Sequence, residues 1–210
     1  MKVFKYQSIN LNLLNSLRKK TNWYSKLHLL NDPFECFFID NTNTRIYKDF
    51  IFTLATCCFS RNMNEILMWS HYANNHKGLC LEFEIEEEIL KGQLLKVDYS
   101  NTTTLLDEVK TTKTGHLDLN ISTNGKFLWT KFENWGYEEE LRTYVFCDEL
   151  DIDGKEKPFL GELTAIYFGK NSNTEDIELI KHNTTHFDSL KYFKVDLDLE
   201  YMKMAKLTEI

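Results

Sequence analysis

The run IFTLATCCFS, residues 51–60, constrains the fold more than any other part of the chain. Apolar side chains occupy both odd and even positions of this run, so a strand made from it has no polar face. Strands of that kind lie inside a sheet that is covered on both sides. The sequence therefore predicts a central strand that ends at Ser60.

Strand and helix signals follow one another on the N-terminal side of this run. Residues 3–6 predict a short strand, and Ser8 or Asn10 is suited to cap a helix on which Leu11, Leu14 and Leu17 share a face. On the C-terminal side, residues 65–75 carry few polar side chains and predict a largely buried helix. Gly78 follows and is expected to end that helix in a left-handed conformation.

Further strands are predicted from alternating apolar and polar residues. Residues 79–85 alternate cleanly, which predicts a strand with one face in the core, and residues 137–146 also favour a strand. The polar segment 100–125 is the best candidate for a lid. With no steady strand-helix-strand alternation, we predict an α+β fold: a single domain over residues 1–210, with a central split or mixed β-sheet flanked by helices.

Composition limits the classes of function. The chain has 210 residues and a formal net charge of -7, so attraction of the whole molecule to nucleic acid or to an anionic membrane is not expected. The five cysteines are odd in number and lack C-x-x-C spacing, which favours reduced thiols and argues against a zinc site. We find no signal-peptide or membrane-spanning segment and expect a cytoplasmic protein.

Three short motifs combine polar, aromatic and proline or charged residues in a way that packing alone rarely favours. They are NDPFE at residues 31–35, MWSHYA at 68–73 and YEEELR at 137–142. If they meet in space, they supply carboxylates, an imidazole, a guanidinium and aromatic rings to one pocket. The turn signal at residues 31–33 also has a structural explanation, because Asn and Asp side chains bond back to their own backbone.

The motifs resemble those of the bacterial domain-of-unknown-function 2971 (DUF2971) family over essentially the whole chain. The matching patterns are KYxS near the start, NDPFE, CFS, MWSHYAxxHKGxCLEF, VxY, WxYExExR and IYFGKNS. This resemblance indicates which residues to examine, but the family label carries no activity.

A topology-level similarity links the chain to ADP-ribosyltransferases. It rests on the order of a strand, the helix NLNLLNSLRKK, a central strand that ends at Ser60, and a later strand with Glu138-x-Glu140. In the branch of that superfamily with an E-x-E motif, the second glutamate contacts the nicotinamide ribose. The resemblance implies that role for Glu140, with Glu138 orienting the acceptor. The chain differs in having Lys5 and Tyr6 on the first strand, where that superfamily usually has Arg or His.

Physical reasoning also singles out Glu140. On a strand over residues 137–146, the side chains of Glu138, Glu140 and Arg142 project from one face. A carboxylate near a ribose stabilises the positive charge that develops when the ribosyl-nicotinamide bond breaks, and Arg142 is suited to pair with a phosphate. Two structural interpretations stay open: ordinary ion pairs on a solvated face, or a helical pair between Glu138 and Arg142.

The MWSHYA motif adds candidates with structural alternatives. His71 is a candidate catalytic residue on a helix face that we expect to be buried, where a core histidine bonded to a backbone carbonyl is the alternative. Trp69, Ser70 and Tyr72, together with Tyr6 and Ser60, are expected to line a cofactor pocket. Trp69 and Tyr72 also fit a core role, and Ser70 fits a bond within its own helix.

The functional hypothesis is an ADP-ribosyltransferase-like enzyme that uses NAD to modify a nucleic-acid or protein acceptor, as a toxin or phage-defence effector. The partners would be a small nucleotide and a macromolecular acceptor or cognate inhibitor. One alternative is a non-enzymatic binding or partner-neutralising module. Another is an Mg-dependent nuclease that uses carboxylates from the set Asp32, Glu35, Glu82, Glu84 and Asp98.

Overall fold

The structure is a computed structural model that describes residues 1–34, 38–39, 54–102, 104–105, 129–148, 152–201 and 203–210. Residues 51–53 of the predicted central strand, Glu35 and nearly all of the segment 103–125 lie outside the described residues.

The strands and helices alternate irregularly along the chain. In order they are β1 (Lys2–Gln7), α1 (Leu11–Lys19), β2 (Thr21–Lys26), β3 (Phe38–Ile39), β4 (Leu54–Ser60), α2 (Ile66–His71), β5 (Leu79–Glu84), α3 (Glu87–Gln93), β6 (Leu95–Lys96), β7 (Asp98–Ser100), β8 (Thr104–Leu105), β9 (Thr130–Phe132), β10 (Glu140–Phe146), β11 (Gly154–Pro158), β12 (Glu162–Phe168), α4 (Thr174–Asn183), β13 (Lys191–Asp198) and β14 (Lys203–Glu209). Short 3₁₀ helices span Leu27–Leu29 and Glu133–Glu138.

Ten of these strands form one mixed sheet. Its main path runs β11-β2-β4-β1-β5-β12-β13-β14, and β10 joins β4 and β6 beside that path. Only β12 and β13 pair in parallel within this sheet as described; its other pairs are antiparallel. A large mixed sheet with a few helices is what the sequence predicts, and the prediction is confirmed at that level.

The pairing of β4 positions the site. One edge of β4 pairs with β10 along its whole length, which brings Glu140 opposite Ser60 and Arg142 opposite Cys58. The other edge is shared by β1, which pairs at Ser60, and by β2, which pairs at Ala55 and Thr56. The three residues of β4 between these contacts therefore face a gap between β1 and β2.

Apolar layers cover the two faces of the sheet. Leu13 and Leu17 of α1 and Ile180 of α4 pack on one face. Trp69 of α2 packs on the opposite face with Tyr6. Asn10 caps α1 by accepting a hydrogen bond from the Leu13 backbone, one of the two caps expected.

Three local predictions need correction. The helix expected over residues 65–75 ends at His71, because Asn74, Asn75 and His76 adopt left-handed conformations. Gly78 is not left-handed; it is required because a Cβ there would lie 2.2 Å from the backbone oxygen of Gln7. The strand β5 is buried on both faces rather than one, since Cys80 and Glu82 are also buried.

Candidate functional site

The site is a cleft of about 710 Å³ that opens beside β4. This volume lies in the range of small-molecule sites. Of the residues proposed from the sequence, six line the cleft, and they are Tyr6, Ser60, Tyr72, Glu138, Glu140 and Arg142. The described lining also includes Lys5, which the sequence marked only as a departure from the ADP-ribosyltransferase pattern, and Lys131, which sequence reasoning did not single out.

Glu140 and Arg142 form the base of this site. They lie on the same face of β10, as the alternation predicts, and the Arg142 guanidinium donates from Nε to Glu140 Oε1 at 2.7 Å and from Nη2 to Oε2 at 2.9 Å. Glu140 is only 4% exposed and Arg142 only 1%. This is a buried two-bond pair, so neither a solvated face nor a helical pair describes it. We expected the Arg142 guanidinium to pair with a phosphate, but the edge formed by Nε and Nη2 binds Glu140.

Glu138 reaches the same place by a route that the sequence did not predict. It belongs to the 3₁₀ helix Glu133–Glu138 rather than to the strand, and Glu139 between the two carboxylates is left-handed, with φ of 44°. The Ser60 hydroxyl donates to the Glu138 backbone oxygen at 2.7 Å, and the Arg61 N–H donates to the Glu139 oxygen at 3.1 Å. These bonds from the end of β4 fix the turn that brings Glu138 beside Glu140.

Lys131 contacts both Glu138 and Glu140. We call these two acids the carboxylate pair. Its Nζ lies 2.6 Å from Glu138 Oε2 and 3.4 Å from Glu140 Oε2, and its side chain is 3% exposed. The parallel pairing of β9 with β7 places Lys131 next to Tyr99, whose hydroxyl accepts the Glu140 N–H at 2.8 Å. A lysine inside the aromatic run FLWTKFENW, just before an acidic motif, is the sequence signal for this role.

The three sequence motifs meet at Glu138. The Tyr72 hydroxyl donates to Glu138 Oε1, and the Asn31 side-chain amide donates to the Tyr72 oxygen. Asp32 fixes the first motif as the predicted turn, because its Oδ1 accepts the Phe34 N–H at 2.9 Å. One hydrogen-bonded chain therefore joins residues 31–35, 68–73 and 137–142 through Asn31, Tyr72 and Glu138.

The carboxylate pair is electrostatically divided. Burial, reinforced by the Glu140 charge, raises the pKa of Glu138 to about 6 against the effect of Lys131. Burial also works to raise the pKa of Glu140, but Arg142 and Lys131 overcome it and hold that pKa at about 2. Pairs of acids whose environments push their pKa values apart are typical of acid-base sites. Glu140 is then a permanent charge near neutral pH, while Glu138 can take up a proton.

Lys5 adds a cation on the opposite side of the gap in the sheet. Its Nζ donates to the Cys58 backbone oxygen at 3.2 Å and contacts Cys57 Sγ at 3.3 Å. The Lys5 residue is half-buried and lines the cleft. Burial lowers its pKa, but Cys57, Cys58 and Glu140 together raise it above the ordinary value, so Lys5 stays protonated.

Three residues proposed for the site do not line the described cleft. Trp69 is fully buried behind Tyr6, and its indole N–H donates to the Met63 oxygen at 2.9 Å, which is the core role. Ser70 follows it on α2, away from the cleft lining. The expectation that His71 lies on a buried face is wrong: it is exposed, and its Nδ1 lies 3.0 Å from the Tyr137 oxygen.

Glu35, one of the carboxylates named for a nuclease, lies outside the described residues. Among the described residues, no group of three His, Cys, Asp or Glu side chains is placed to hold a metal ion. Asp32 stabilises the turn at residues 31–34, and Glu82 is bound by Lys2, Thr164 and Tyr167.

In the described ranges, no helix is long and apolar enough to cross a membrane.

Comparison with protein families gives one result. Residues 68–143 match the model of a family described as a protein of unknown function, DUF2971. This segment belongs to the DUF2971 family. The resemblance expected over nearly the whole chain is thus confirmed from α2 to Thr143, which includes Tyr72 and the carboxylate pair. Neither the curated proteins nor the solved structures provided a match.

Proposed function

We propose that this DUF2971 protein is an ADP-ribosyltransferase-like enzyme that uses NAD as its donor substrate. One observation carries the proposal: two buried carboxylates with divergent pKa values share Lys131 at one end of a cleft of about 710 Å³. When bound, NAD supplies a ribosyl group whose bond to nicotinamide breaks, with the electron pair leaving on nicotinamide.

Glu140 supplies the fixed negative charge. Arg142 and Lys131 keep its carboxylate ionised and oriented, so it needs no rearrangement to stabilise positive charge that develops on a ribose. A carboxylate that is preorganised in a buried site acts more strongly than one in water. Arg142 was expected to bind a phosphate of the substrate, but it is bound to Glu140. Lys5, the half-buried cation on β1 that lines the cleft, is suited to bind that phosphate instead.

Glu138 is suited to accept the proton of the attacking group. Its pKa of about 6 lies close to neutral pH, where a general base is most effective. The hydrogen bond from Tyr72 holds one of its oxygens, and Lys131 holds the other. The attacking group is water or a hydroxyl, amine or amide nitrogen of a nucleic-acid or protein acceptor. A toxin or phage-defence setting remains a prediction from the resemblance.

The test is nicotinamide release from NAD by the purified protein, with and without candidate acceptors. Glu140→Gln is expected to lower turnover by about 100-fold or more, as for loss of an electrostatic stabiliser. Glu139→Gln is the matched control, because it makes the same change one residue away on an exposed side chain, and it should retain turnover. Circular dichroism melting of each variant separates lost chemistry from lost folding.

Two results would contradict the proposal. One is the absence of NAD turnover by the wild-type protein across a panel of protein, RNA and DNA acceptors. The other is equal turnover by the wild type and a folded Glu140→Gln variant. Turnover that requires added Mg²⁺ and cleaves nucleic acid instead would favour the nuclease.

A further inference from the structure

Trp23 is a large aromatic residue that the core does not use. Its side chain lines the cleft, and the residue is 45% exposed. Its neighbours Asn22 and Tyr24 on β2 are buried on the other face of the strand. An indole left open inside a cleft is more characteristic of ligand sites than of packing, because it offers a wide apolar face.

The backbone beneath Trp23 is shaped to receive the ring. Glu156 of β11 pairs with Trp23, and Gly154 precedes Glu156 by two residues on the same strand. A Cβ at Gly154 would lie 3.1 Å from Trp23 Cζ2 and 2.0 Å from the Tyr24 backbone oxygen. The absence of a side chain there lets the indole lie against β11. The indole therefore packs close to β11 at Cζ2, while its exposed part belongs to the cleft lining.

The sheet places Trp23 at a useful distance from the carboxylate pair. Ser25 is opposite Thr56, and extending this register by two residues brings Trp23 level with Cys58, which is opposite Arg142. Side chains at these positions project from the same face. Trp23 and Arg142 are separated by two inter-strand spacings, which is a distance on the order of 10 Å. The gap in the sheet increases this distance. That span matches two linked units of a nucleotide rather than one.

The surroundings of Trp23 favour a neutral, hydrogen-bonding ring. Asn12, Asn15 and Ser16 line the cleft from α1, at the spacing that places them on one helix face. Amide groups both donate and accept, as the edge of a nucleobase requires. Asp153 lines the same cleft and disfavours a phosphate near Trp23, whereas the charge of Glu156 is paired with Lys19 at 2.9 Å.

We propose that Trp23 stacks on the purine base of a nucleotide, whose edge bonds to the amides of α1. A purine covers more of the indole than a single-ring base does. This subsite rests on the proposed function, because it assigns the part of the donor that is remote from Glu140. Loss of base stacking on one aromatic residue weakens nucleotide binding by about tenfold or more.

The experiment is isothermal titration calorimetry with AMP, GMP and UMP. The wild-type protein should bind AMP or GMP more tightly than UMP, and Trp23→Ala should weaken that binding by about tenfold or more. Trp23→Phe should retain most of it. Phe146→Ala is the control: Phe146 is an exposed aromatic residue on the same face of the sheet that does not line the cleft.

The outcomes separate this inference from the proposed function, because AMP has no nicotinamide bond. Purine binding that depends on Trp23 supports the inference even if NAD is not consumed. Equal binding by Trp23→Ala and wild type, or no nucleotide binding by the wild type, overturns it even if NAD is consumed. Equal affinity for UMP and AMP overturns the choice of a purine.

Discussion

Glu82 and the carboxylate pair are buried acids of one sheet, yet their surroundings differ. Glu82 is 3% exposed and its oxygens are satisfied by Lys2, Thr164 and Tyr167, at 2.9, 2.8 and 2.7 Å. Burial opposes its ionisation, but these hydrogen bonds hold its pKa below the ordinary value. It does not line the described cleft. Glu82 is therefore a single, paired acid with a structural role.

The carboxylate pair differs from Glu82 because its two acids share one lysine. Glu138 and Glu140 compete for Lys131, and Arg142 is committed to Glu140, so burial leaves Glu138 with a raised pKa. Burial of an acid alone thus does not identify a site. Two acids that share one cation, differ in pKa and face a cleft are a stronger candidate for one.

The largest expected difference between the two regions is in stability. Lys131→Met removes the cation that both buried carboxylates share, and we expect a loss of about 3–5 kcal/mol in the free energy of unfolding. Lys2 is 57% exposed, so Lys2→Met should cost less than about 1 kcal/mol. Urea denaturation of both variants measures this. Similar losses for the two would remove the distinction between the regions.

The second difference is the sign of the pH dependence. An ordinary glutamate releases its proton near pH 4.5, whereas folded Glu138 keeps it until about pH 6. The folded chain therefore binds more protons in this window, and Glu138 lowers stability by roughly 2 kcal/mol as pH rises through it. Glu82 acts in the opposite direction, because its lowered pKa adds stability above pH 4.5 that is lost as pH falls below it.

Unfolding free energies of wild type, Glu138→Gln and Glu82→Gln between pH 3 and 7 test these signs. The difference between wild type and Glu138→Gln should change between pH 4.5 and 6. For Glu82→Gln it should change only below pH 4.5. A change in the same window for both variants would contradict the assignment.

The smallest effect distinguishes two tyrosines. Tyr72→Phe and Tyr167→Phe each remove a hydroxyl that donates to a buried carboxylate, and each should cost about 1.5 kcal/mol. The hydrogen bond from Tyr72 lowers the pKa of Glu138, so only Tyr72→Phe should raise that pKa. The pH at which NAD turnover rises should then move above 6. Tyr167→Phe should leave that pH profile unchanged. An unaltered profile in Tyr72→Phe would show that Glu138 is not the titrating group.

Sequence periodicity predicted the parts of this site that depend on a single strand. Alternation along β10 predicted that Glu140 and Arg142 share a face, and the apolar run 51–60 predicted that β4 lies inside the sheet. Alternation failed at Glu82, whose burial depends on Tyr167 and Thr164 of another strand. A polar residue in an alternating strand carries no local sign of such partners.

The rest of the site depends on contacts that are distant in sequence or on unusual backbone conformations. Lys131 reaches the carboxylates because β9 pairs with β7, and Glu138 reaches them through left-handed Glu139. His71 was misplaced because the apolar Leu67, one turn before it on α2, is itself 42% exposed, so this face of the helix is not buried. Asn31, Tyr72 and Glu138 come together only in the folded chain.

The most direct test is a carbon-13 NMR titration of the glutamate side-chain carboxyls in wild type, Glu138→Gln and Glu82→Gln. One carboxyl is expected to titrate near pH 6 and to be missing from Glu138→Gln, while Glu140 stays ionised down to about pH 2 and Glu82 titrates below 4.5. If Glu138 and Glu140 instead titrate together near pH 4.5, like exposed glutamates, the carboxylate pair is not electrostatically divided and cannot supply one fixed charge and one proton acceptor.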